Sequence, residues 1–338
     1  MKSFAQNFQA LVRKKKTLLF LGLDPRLDLI AEDFKAEIQL PDNFLAEISA
    51  FSLDRWISAE KVNEFLEGIS AFHSSSKAEL RNFLYFSVAL ILALKDEVIG
   101  VKFQSACFER VGVFGKYALC VLATLARHLG LLTIFDGKRG DIGVTLKQYF
   151  QAYLSDSNAP VSMSFDAMTV NPNLGVDTWE EALPFLKAGK QLFFVTYPSS
   201  PTASDFSEAL ACGVPLYSFI AESVKRFLAT HRLDFSPAPI GFVVGANKPE
   251  ICAHIRNILP SSIMLAPGVG AQGAQISEVA PKTAGEQLLA IFPISRSIIH
   301  AYKDTKMAPD EVSVKFYTAS LARAQRFNEE LRRAVSFG

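Results

Sequence analysis

Apolar segments rich in β-branched and aromatic residues recur along the chain, and longer amphipathic stretches separate them. Eight segments have the length of a buried strand: 17–23, 99–103, 131–135, 167–170, 191–196, 240–244, 262–266 and 288–293. The intervening stretches, such as 115–129 and 250–259, carry helical periodicity. Alternating strands and helices form parallel βαβ units, and eight units favour a closed (β/α)8 TIM barrel, although the pattern does not exclude an open sheet. We therefore predict one α/β barrel domain over residues 1–338.

Two segments are longer than a minimal barrel requires. Residues 27–98 separate the first two predicted strands, and their helical periodicity predicts an enlarged helical insertion on the barrel flank. Within this insertion, the apolar run 83–94 is too short to span a bilayer and is predicted to be a packed helix. Residues 197–218 are rich in Pro and Ser and are predicted to form a lid over the active site.

Composition excludes several classes of protein. The net charge of +1 over 338 residues gives no electrostatic footprint for nucleic acid or an anionic membrane. The N-terminal residues 1–16 lack the apolar core of a signal peptide. The four cysteines, Cys107, Cys120, Cys212 and Cys252, show no CxxC pair or metal-ligand spacing, which is typical of reduced thiols. We expect a cytoplasmic protein without a bound metal.

Polar, charged or glycine-rich residues follow nearly every predicted strand. Active sites of α/β barrels lie at the carboxyl ends of the strands, so these residues should meet at one face. A protein with a purely structural role would have little use for such a pattern, and we therefore predict an enzyme. The residues concerned include Asp24, Lys102, Gln104, Asp136, Lys138, Asn171, Thr196, Asn247 and Arg296.

The segment FDGKRGDIGVT at 135–145 carries the densest group of charges. It places Asp136, Lys138 and Asp141 directly after a buried strand. Side chains alternate along a strand, so Asp136 and Lys138 share one side if the extended geometry continues past residue 135. Charges held this closely shift one another's pKa values, as in many active sites. An isolated DxKxxD could equally be a solvated loop, but the other strand ends favour an active site.

A second group suggests a phosphate site. The segment LAPGVGAQGAQ at 265–275 contains Gly268, Gly270 and Gly273, which allow backbone amides to approach an anion closely. No GK[ST] follows, so this is not a Walker A loop. Arg296, at the end of the eighth strand, can offer a bidentate fork to the same phosphate. The predicted substrate is a phosphorylated small molecule.

These residues resemble the orotidine 5′-phosphate decarboxylases, in particular their longer bacterial branch (type 2). Seven blocks match in the order of that family and span most of the barrel: LGLDPR (21–26), VKFQSACFERVG (101–112), FDGKRGDIGVT (135–145), DAMTVNPNLGVD (166–177), VVGAN (243–247), LAPGVGAQG (265–273) and ISRSI (294–298). The resemblance implies cofactor-independent conversion of orotidine 5′-monophosphate to uridine 5′-monophosphate in pyrimidine biosynthesis. The excursions 27–98 and 197–218 lie outside the match.

The resemblance also implies roles for individual residues. Lys102, Asp136, Lys138 and Asp141 would form a charged catalytic network, in which Asp141 and Thr145 reach the neighbouring subunit. The active protein would then be an isologous homodimer.

The remaining contacts concern the substrate. Asp24 and Lys102 would bind the ribose hydroxyls, and Thr196 would lie against the pyrimidine. Gln272 and Arg296 would hold the phosphate. Three positions depart from the pattern of the family: Phe103 replaces Pro, Ser297 replaces Gly, and 194–198 reads FVTYP instead of RTSNP.

The residue types agree with this chemistry. Loss of CO₂ from C6 leaves a vinyl carbanion that no adjacent carbonyl can delocalise. No metal cluster is visible among the five scattered histidines, so the available resource is a preorganised cation. Lys138 can supply that cation and then donate the proton that replaces CO₂.

Three alternatives are open. A hexulose-phosphate synthase of the same superfamily shares DxKxxD but uses Mg²⁺, and metal dependence would discriminate it. A class I aldolase would form a Schiff base on Lys102 or Lys138, but neighbouring carboxylates raise the pKa of a lysine and oppose that use. A non-catalytic binding protein would be expected to have lost at least one of the four charged groups.

Overall fold

The computed structural model describes residues 3–34, 36–69, 74–157, 159–270 and 273–337. Eight parallel strands close into a barrel in the order β1-β10-β9-β8-β5-β4-β3-β2, which confirms the predicted (β/α)8 architecture. The barrel strands are β1 (Leu19–Leu23), β2 (Gly100–Gln104), β3 (Leu132–Arg139), β4 (Ala167–Val170), β5 (Gln191–Tyr197), β8 (Ile240–Val244), β9 (Met264–Leu265) and β10 (Ala290–Ile294). A separate antiparallel ribbon joins β6 (Leu210–Ala211) to β7 (Val214–Pro215).

Each predicted strand is present, and the differences lie at the ends. Strand β9 is reduced to two paired residues, because the chain leaves the sheet for the glycine-rich segment. Strand β3 instead continues through Arg139, four residues beyond its apolar run. The charged residues Asp136 and Lys138 therefore belong to the sheet itself. This extension positions the chemistry of the barrel mouth on a rigid element.

Helices surround the barrel and follow the strands. The first half of the chain contains α1 (Phe4–Lys15), α2 (Leu27–Asp33), α3 (Asp42–Ala50), α4 (Asp54–Ile57), α5 (Ala59–Gly68), α6 (Lys77–Leu94), α7 (Ser105–Glu109), α8 (Gly112–His128) and α9 (Gly143–Leu154). The second half contains α10 (Leu183–Lys187), α11 (Ser204–Ser207), α12 (Leu216–Thr230), α13 (Pro249–Ile258), α14 (Ile276–Ala284), α15 (Arg296–Ile299) and α16 (Pro309–Ala334), with 3-10 helices at Val176–Ala182 and Ala301–Asp304. None of the described helices combines the length and the apolar run needed to cross a membrane.

The segment between β1 and β2 forms α2 to α6 in its described residues. The longest of these, α6, contains the predicted helix 83–94 and begins at a capping box between Ser76 and Glu79. Its Asn82 is buried, accepts a hydrogen bond from the amide of Ile38 at 2.8 Å and donates to the carbonyl of Ala36 at 3.0 Å. These bonds satisfy a polar group that burial would otherwise penalise, and they tie the loop after α2 to α6.

The core between sheet and helices is rich in phenylalanine, which supplies 28 of the 338 residues of the chain. Phe103, the first departure from the family pattern, is fully buried and packs edge-on against Phe165, with ring centroids 5.7 Å apart. Phe135 stacks on Tyr153 of α9 with centroids 3.7 Å apart. Strand alternation places both phenylalanines on the helix side of the sheet, so their neighbours Lys102 and Asp136 face the barrel interior.

Gly115 of α8 packs closely against α7, the helix that follows β2. A Cβ atom at Gly115 would lie 1.8 Å from the carbonyl oxygen of Phe108 in α7. We predict that Gly115→Ala lowers the free energy of unfolding by about 3 kcal/mol, because two backbones must separate. Gly68→Ala in α5 is the matched control: its Cβ would meet no atom of the described residues within 4 Å, so stability should be kept or slightly raised. Urea unfolding of both variants makes the comparison, and equal midpoints would contradict the proposed close approach.

Candidate active site

A cavity opens at the carboxyl ends of the barrel strands. Its polar lining comes from six different strand ends, as the sequence pattern predicts for an enzyme of this fold. Apolar residues, among them Val243, Leu265 and Pro267, cover the rest of the wall. The polar side chains are Asp24, Lys102, Gln104, Asp136, Lys138, Thr169, Ser199, Ser295 and Arg296.

The carboxylate of Asp136 is the centre of this site. Its Oδ2 accepts from the Lys102 ammonium and its Oδ1 from the Lys138 ammonium, each at 2.6 Å. The hydroxyl of Thr169 on β4 donates to Oδ1 at 2.9 Å. Asp136 and Lys102 are both only 6% exposed, so each charge depends on the others for compensation.

Strand register explains how Asp136 meets Lys102. Gln104 of β2 pairs directly with Asp136 of β3, and Lys102 lies two residues earlier on the same face. The Lys102 ammonium also lies 3.8 Å from Asp24, which follows β1. The Oδ1 atom of Asp24 is buried and has no hydrogen-bond partner among the described residues, so it remains able to accept one from a ligand.

Lys138 reaches the same carboxylate by a different geometry from the one assumed. Its φ is +47°, in the left-handed region that residues other than glycine rarely adopt. The β3–β4 register shifts between Phe135 and Arg139, so the regular extended geometry is interrupted there, although β3 continues to Arg139. Its backbone amide donates to Thr169 Oγ1 at 2.9 Å. The predicted shared side is therefore correct, but a bulge and a left-handed residue produce it.

The charges shift each other's pKa values in the directions that preserve the ion pairs. Burial alone would raise the pKa of Asp136, but the Lys102 and Lys138 ammonium groups outweigh it and hold this pKa well below its usual range. Burial would lower the pKa of Lys102, but Asp136 and Asp24 outweigh it and raise this pKa above its usual value. Both groups are therefore charged at neutral pH.

The same cavity is lined by predicted phosphate residues. Arg296 is the first residue of α15, two residues after the end of β10, and it lines the cavity and is exposed. Gly268 also lines it, at a φ of +113° that a side chain would strain. Gly270 lies beside Ser297, whose Oγ would be 2.5 Å from a Cβ at that position, and Gly273 also has positive φ. Gln272, the other predicted phosphate contact, lies outside the described residues.

Asp141 and Thr145 do not join the cavity of their own chain. Asp141 Oδ1 accepts from the following amide of Ile142 at 2.9 Å, and within the described ranges it pairs with neither lysine. Thr145 is exposed in the first turn of α9. Ile142 and Val144, beside them, are 64% and 75% exposed. The segment therefore presents apolar side chains to the exterior.

Thr196 is likewise absent from the cavity lining in the described part of the chain. Its hydroxyl is buried and donates to the carbonyl of Phe194 at 2.9 Å, at a register shift between β5 and β8. Ser199, three residues later, lines the cavity instead. The segment 194–198, which departs from the family pattern, thus coincides with an irregular end of β5.

Sequence reasoning missed Thr169, Ser199 and Ser295 as site residues. Thr169 could have been found from alternation along β4, because Ala167 and Thr169 share the face opposite Met168 and Val170. Ser199 and Ser295 lie in loops whose direction the pattern does not fix. In the described residues, no group of three or more His, Cys, Asp and Glu side chains is arranged to hold a metal ion.

Comparison with known proteins places this site in context. A family model described as the orotidine 5′-phosphate decarboxylase / HUMPS family matches residues 86–309. A protein from Caldicellulosiruptor saccharolyticus named orotidine 5′-phosphate decarboxylase is 32% identical over 82% of this chain and 92% of its own length. One of the same name from Caldicellulosiruptor bescii is 29% identical over 99% of this chain and all of its own length.

Solved structures share the fold. The crystal structure of Plasmodium berghei orotidine 5′-monophosphate decarboxylase aligns with a TM-score of 0.71 and 19% identity, over 98% of this chain and 99% of that one. The structure of Leishmania donovani OMP decarboxylase aligns with a TM-score of 0.64 over the same shares of both chains, at 19% identity. At these identities the alignment supports the barrel architecture.

The lowered pKa of Asp136 predicts how the stability of the fold depends on pH. Its carboxylate is stabilised in the folded state, so its contribution is fully present above about pH 4 and is lost as the pH falls toward the lower folded pKa. We predict that Asp136→Asn lowers the free energy of unfolding by about 3 kcal/mol at pH 7, because Lys102 loses its buried partner. The difference in the free energy of unfolding between wild type and variant should stay constant from pH 7 to 5 and become smaller below about pH 4.

Urea unfolding at pH 7, 5 and 3 measures this difference. Asp304→Asn is a matched control: Asp304 pairs with Arg323 at 2.7 Å but is 67% exposed, so its loss should cost less than about 1 kcal/mol. An equally small loss for Asp136→Asn, or a difference that widens with acid, would refute the assigned ion pairs.

Proposed function

The chain belongs to the orotidine 5′-phosphate decarboxylase / HUMPS family, and we propose that its cavity converts orotidine 5′-monophosphate to uridine 5′-monophosphate in pyrimidine biosynthesis. One observation carries the proposal: the Asp136 carboxylate is held between two lysine ammonium groups at the barrel mouth, and Arg296 lines the same cavity. A substrate that carries both an acidic ring and a phosphate matches these cations.

Lys138 carries the chemical step. The C6–carboxylate bond breaks, CO₂ leaves, and the electron pair stays on C6 as a carbanion. The Lys138 ammonium stabilises this charge because it is already oriented by Asp136 at 2.6 Å, and it then transfers a proton to C6. Solvent returns a proton to the neutral amine. Lys138 is 44% exposed on its side chain, so substrate can reach it from the cavity.

Lys102 and Asp24 bind the ribose. The Lys102 ammonium is anchored by Asp136, while Asp24 keeps a buried oxygen without a partner in the described chain. A ribose hydroxyl donating to Asp24 and accepting from Lys102 would satisfy both groups. The two residues therefore orient the sugar and place C6 beside Lys138.

The phosphate of the substrate binds in the part of the cavity that Arg296 lines. Arg296 supplies a guanidinium fork, the backbone around Gly268 approaches the anion closely, and Gln272 adds an amide donor by the family pattern. These contacts are remote from C6, and their binding energy goes into orientation of the ring.

Ser199 is our candidate for the pyrimidine contact, in place of Thr196, because it lines the cavity and Thr196 bonds to its own strand. Segment 197–218 acts as the lid. Tyr197 donates to Glu208 at 2.6 Å, just before the ribbon, which gives the lid a fixed base. Residues 27–98 serve as a flanking insertion of the single barrel domain.

A homodimer completes each site. Asp141 and Thr145 of one protomer enter the cavity of the other, where Asp141 adds a carboxylate beside Lys138. Support comes from their position: in the described residues neither lines the cavity of its own chain, and Ile142 and Val144 between them expose apolar surface that a partner would cover. The symmetric arrangement exchanges the same residues in both directions.

The Mg²⁺-dependent sugar-phosphate alternative has less support. It would need oxygen ligands free to bind a metal, but Asp136 already accepts from two ammonium groups and a hydroxyl. Two cations within hydrogen-bond distance of the same carboxylate also oppose the approach of a third.

Lys138→Ala should abolish turnover. We expect kcat to fall about a thousandfold or more, since the variant loses both the cation and the proton donor. The assay follows the decrease in ultraviolet absorbance as orotidine 5′-monophosphate is consumed, with and without EDTA. Lys225→Ala on the exposed face of α12 is the control and should leave kcat unchanged. A folded wild-type dimer without turnover, or turnover lost in EDTA, would argue against the proposal.

Mixing two inactive variants tests the shared site. In a heterodimer of Lys138→Ala and Asp141→Asn, one site carries both defects and the other carries neither. Random exchange of subunits should therefore restore about one quarter of wild-type activity. The measurement is the activity of an equimolar mixture after exchange, against each variant alone. If the mixture is no more active than the two variants, Asp141 belongs to its own chain's site.

A further inference from the structure

Arg139, the residue after Lys138, joins the ends of two catalytic strands. Its guanidinium donates to Glu109 Oε1 and, at 3.3 Å, to Ser105 Oγ. Ser105 in turn donates to the same Glu109 oxygen at 2.6 Å. Ser105 and Glu109 are the first and last residues of α7, which follows β2 without a loop. The pair therefore connects the exit of the Lys102 strand to the exit of the Lys138 strand.

Aromatic rings fix the guanidinium from the other side. The Arg139 Cζ lies 5.6 Å from the ring centroid of Phe135 and 5.6 Å from that of Tyr149. Guanidinium groups stack well on aromatic faces, and the planar fork then has little freedom left. Tyr149 belongs to α9, so Arg139 contacts three elements around the turn that carries Lys138.

That turn needs external support. A left-handed conformation costs about 1–2 kcal/mol for a residue other than glycine, and it persists only where its surroundings determine it. The backbone amide of Lys138 donates a hydrogen bond to Thr169 Oγ1, and its ammonium donates one to Asp136 Oδ1. The carbonyl of Arg139 accepts from the amide of Asn171 at 2.8 Å. The side chain of Arg139 adds a further anchor.

We propose that Arg139 and Glu109 are positioning residues for Lys138: their ion pair, closed by Ser105, holds the left-handed exit of β3 so that the ammonium points at the reacting carbon. Neither side chain lines the cavity in the described residues, so the pair acts through Lys138 and touches no substrate. The proposal rests on the decarboxylation argued above.

A positioning role differs from a stabilising ion pair in what its loss changes. If the pair only stabilised the fold, its removal would lower the unfolding midpoint and leave the folded enzyme with normal turnover. If it positions Lys138, its removal lowers kcat while KM stays nearly constant, because phosphate and ribose contacts are intact. Displacement of a reacting group by about 1 Å can cost about a hundredfold in rate.

The experiment uses Arg139→Met, Glu109→Gln and the double variant in the full-length dimer. We expect each single variant to lower kcat about ten- to a hundredfold, with KM within about twofold of wild type. The double variant should be no slower than the slower single variant, because the two residues act as one unit. Arg323→Met is the matched control: Arg323 pairs with Asp304 at 2.7 Å and is 32% exposed, against 24% for Arg139, but lies on α16. It should leave kcat unchanged.

Arg139→Lys covers the case in which Arg139→Met fails to fold. It keeps the charge and the stem but loses the fork, so an intermediate kcat is expected. An unchanged kcat in a folded variant, a rise in KM as large as the fall in kcat, or additive losses in the double variant would each overturn the proposal.

A second readout does not require turnover. Reductive methylation of Lys138, followed by mass spectrometry of its peptide, should be faster in Arg139→Met and Glu109→Gln than in wild type, since a displaced ammonium loses Asp136. Unchanged labelling overturns the positioning role. A wild type that labels slowly and does not decarboxylate would instead overturn the proposed function, and the labelling of the variants would still decide the role of Arg139.

Discussion

The site depends on one buried carboxylate that is shared by two ammonium groups. An isolated charge with the burial of Asp136 would be protonated, and Lys102 alone would lose its proton, because desolvation penalises both ions. Together they hold each other charged, with pKa values displaced in opposite directions. The three side chains constrain one another, because Lys102 on β2 and Lys138 on β3 must both lie within hydrogen-bond distance of Asp136 on β3. The ends of these two strands therefore satisfy the charges in only one register.

Strand β3 is irregular at this point. Regular alternation would also place Asp136 and Lys138 on one side, but here a bulge after Phe135 and the left-handed Lys138 produce the contact. Thr169 fixes this geometry, because its hydroxyl oxygen accepts from the amide of Lys138 and its hydroxyl donates to the carboxylate of Asp136. Backbone strain is thus concentrated at the residue whose side chain carries the chemistry, as is common at functional sites.

Periodicity and strand-end chemistry were sufficient to predict the barrel and most of its charged residues, because apolar strands and the charges that follow them are local features of sequence. What escaped prediction depends on non-local geometry. Alternation along β4 places Thr169 on the inward face, but its bonds to Asp136 and Lys138 depend on the bulge of β3. Thr196 bonds to its own strand at a register shift between β5 and β8, which periodicity does not predict. The proposed place of Asp141 in a partner's cavity comes from the family resemblance, because the strand pattern of one chain does not position a second chain.

The balance of charge in the cavity suggests why this site favours loss of CO₂. Lys102 and Lys138 are matched within one chain by Asp136 and Asp24, so Arg296 is the excess cation among the charged residues that line the cavity. The carboxylate of the substrate, and Asp141 from a partner, would add anions around Lys138. In the proposed binding mode, departure of neutral CO₂ moves a negative charge from the substrate carboxylate beside Asp136 to C6 beside Lys138. A fixed dipole from Asp136 to Lys138 is therefore aligned with the charge movement of the reaction, and it needs no reorganisation because the fold already holds both ends.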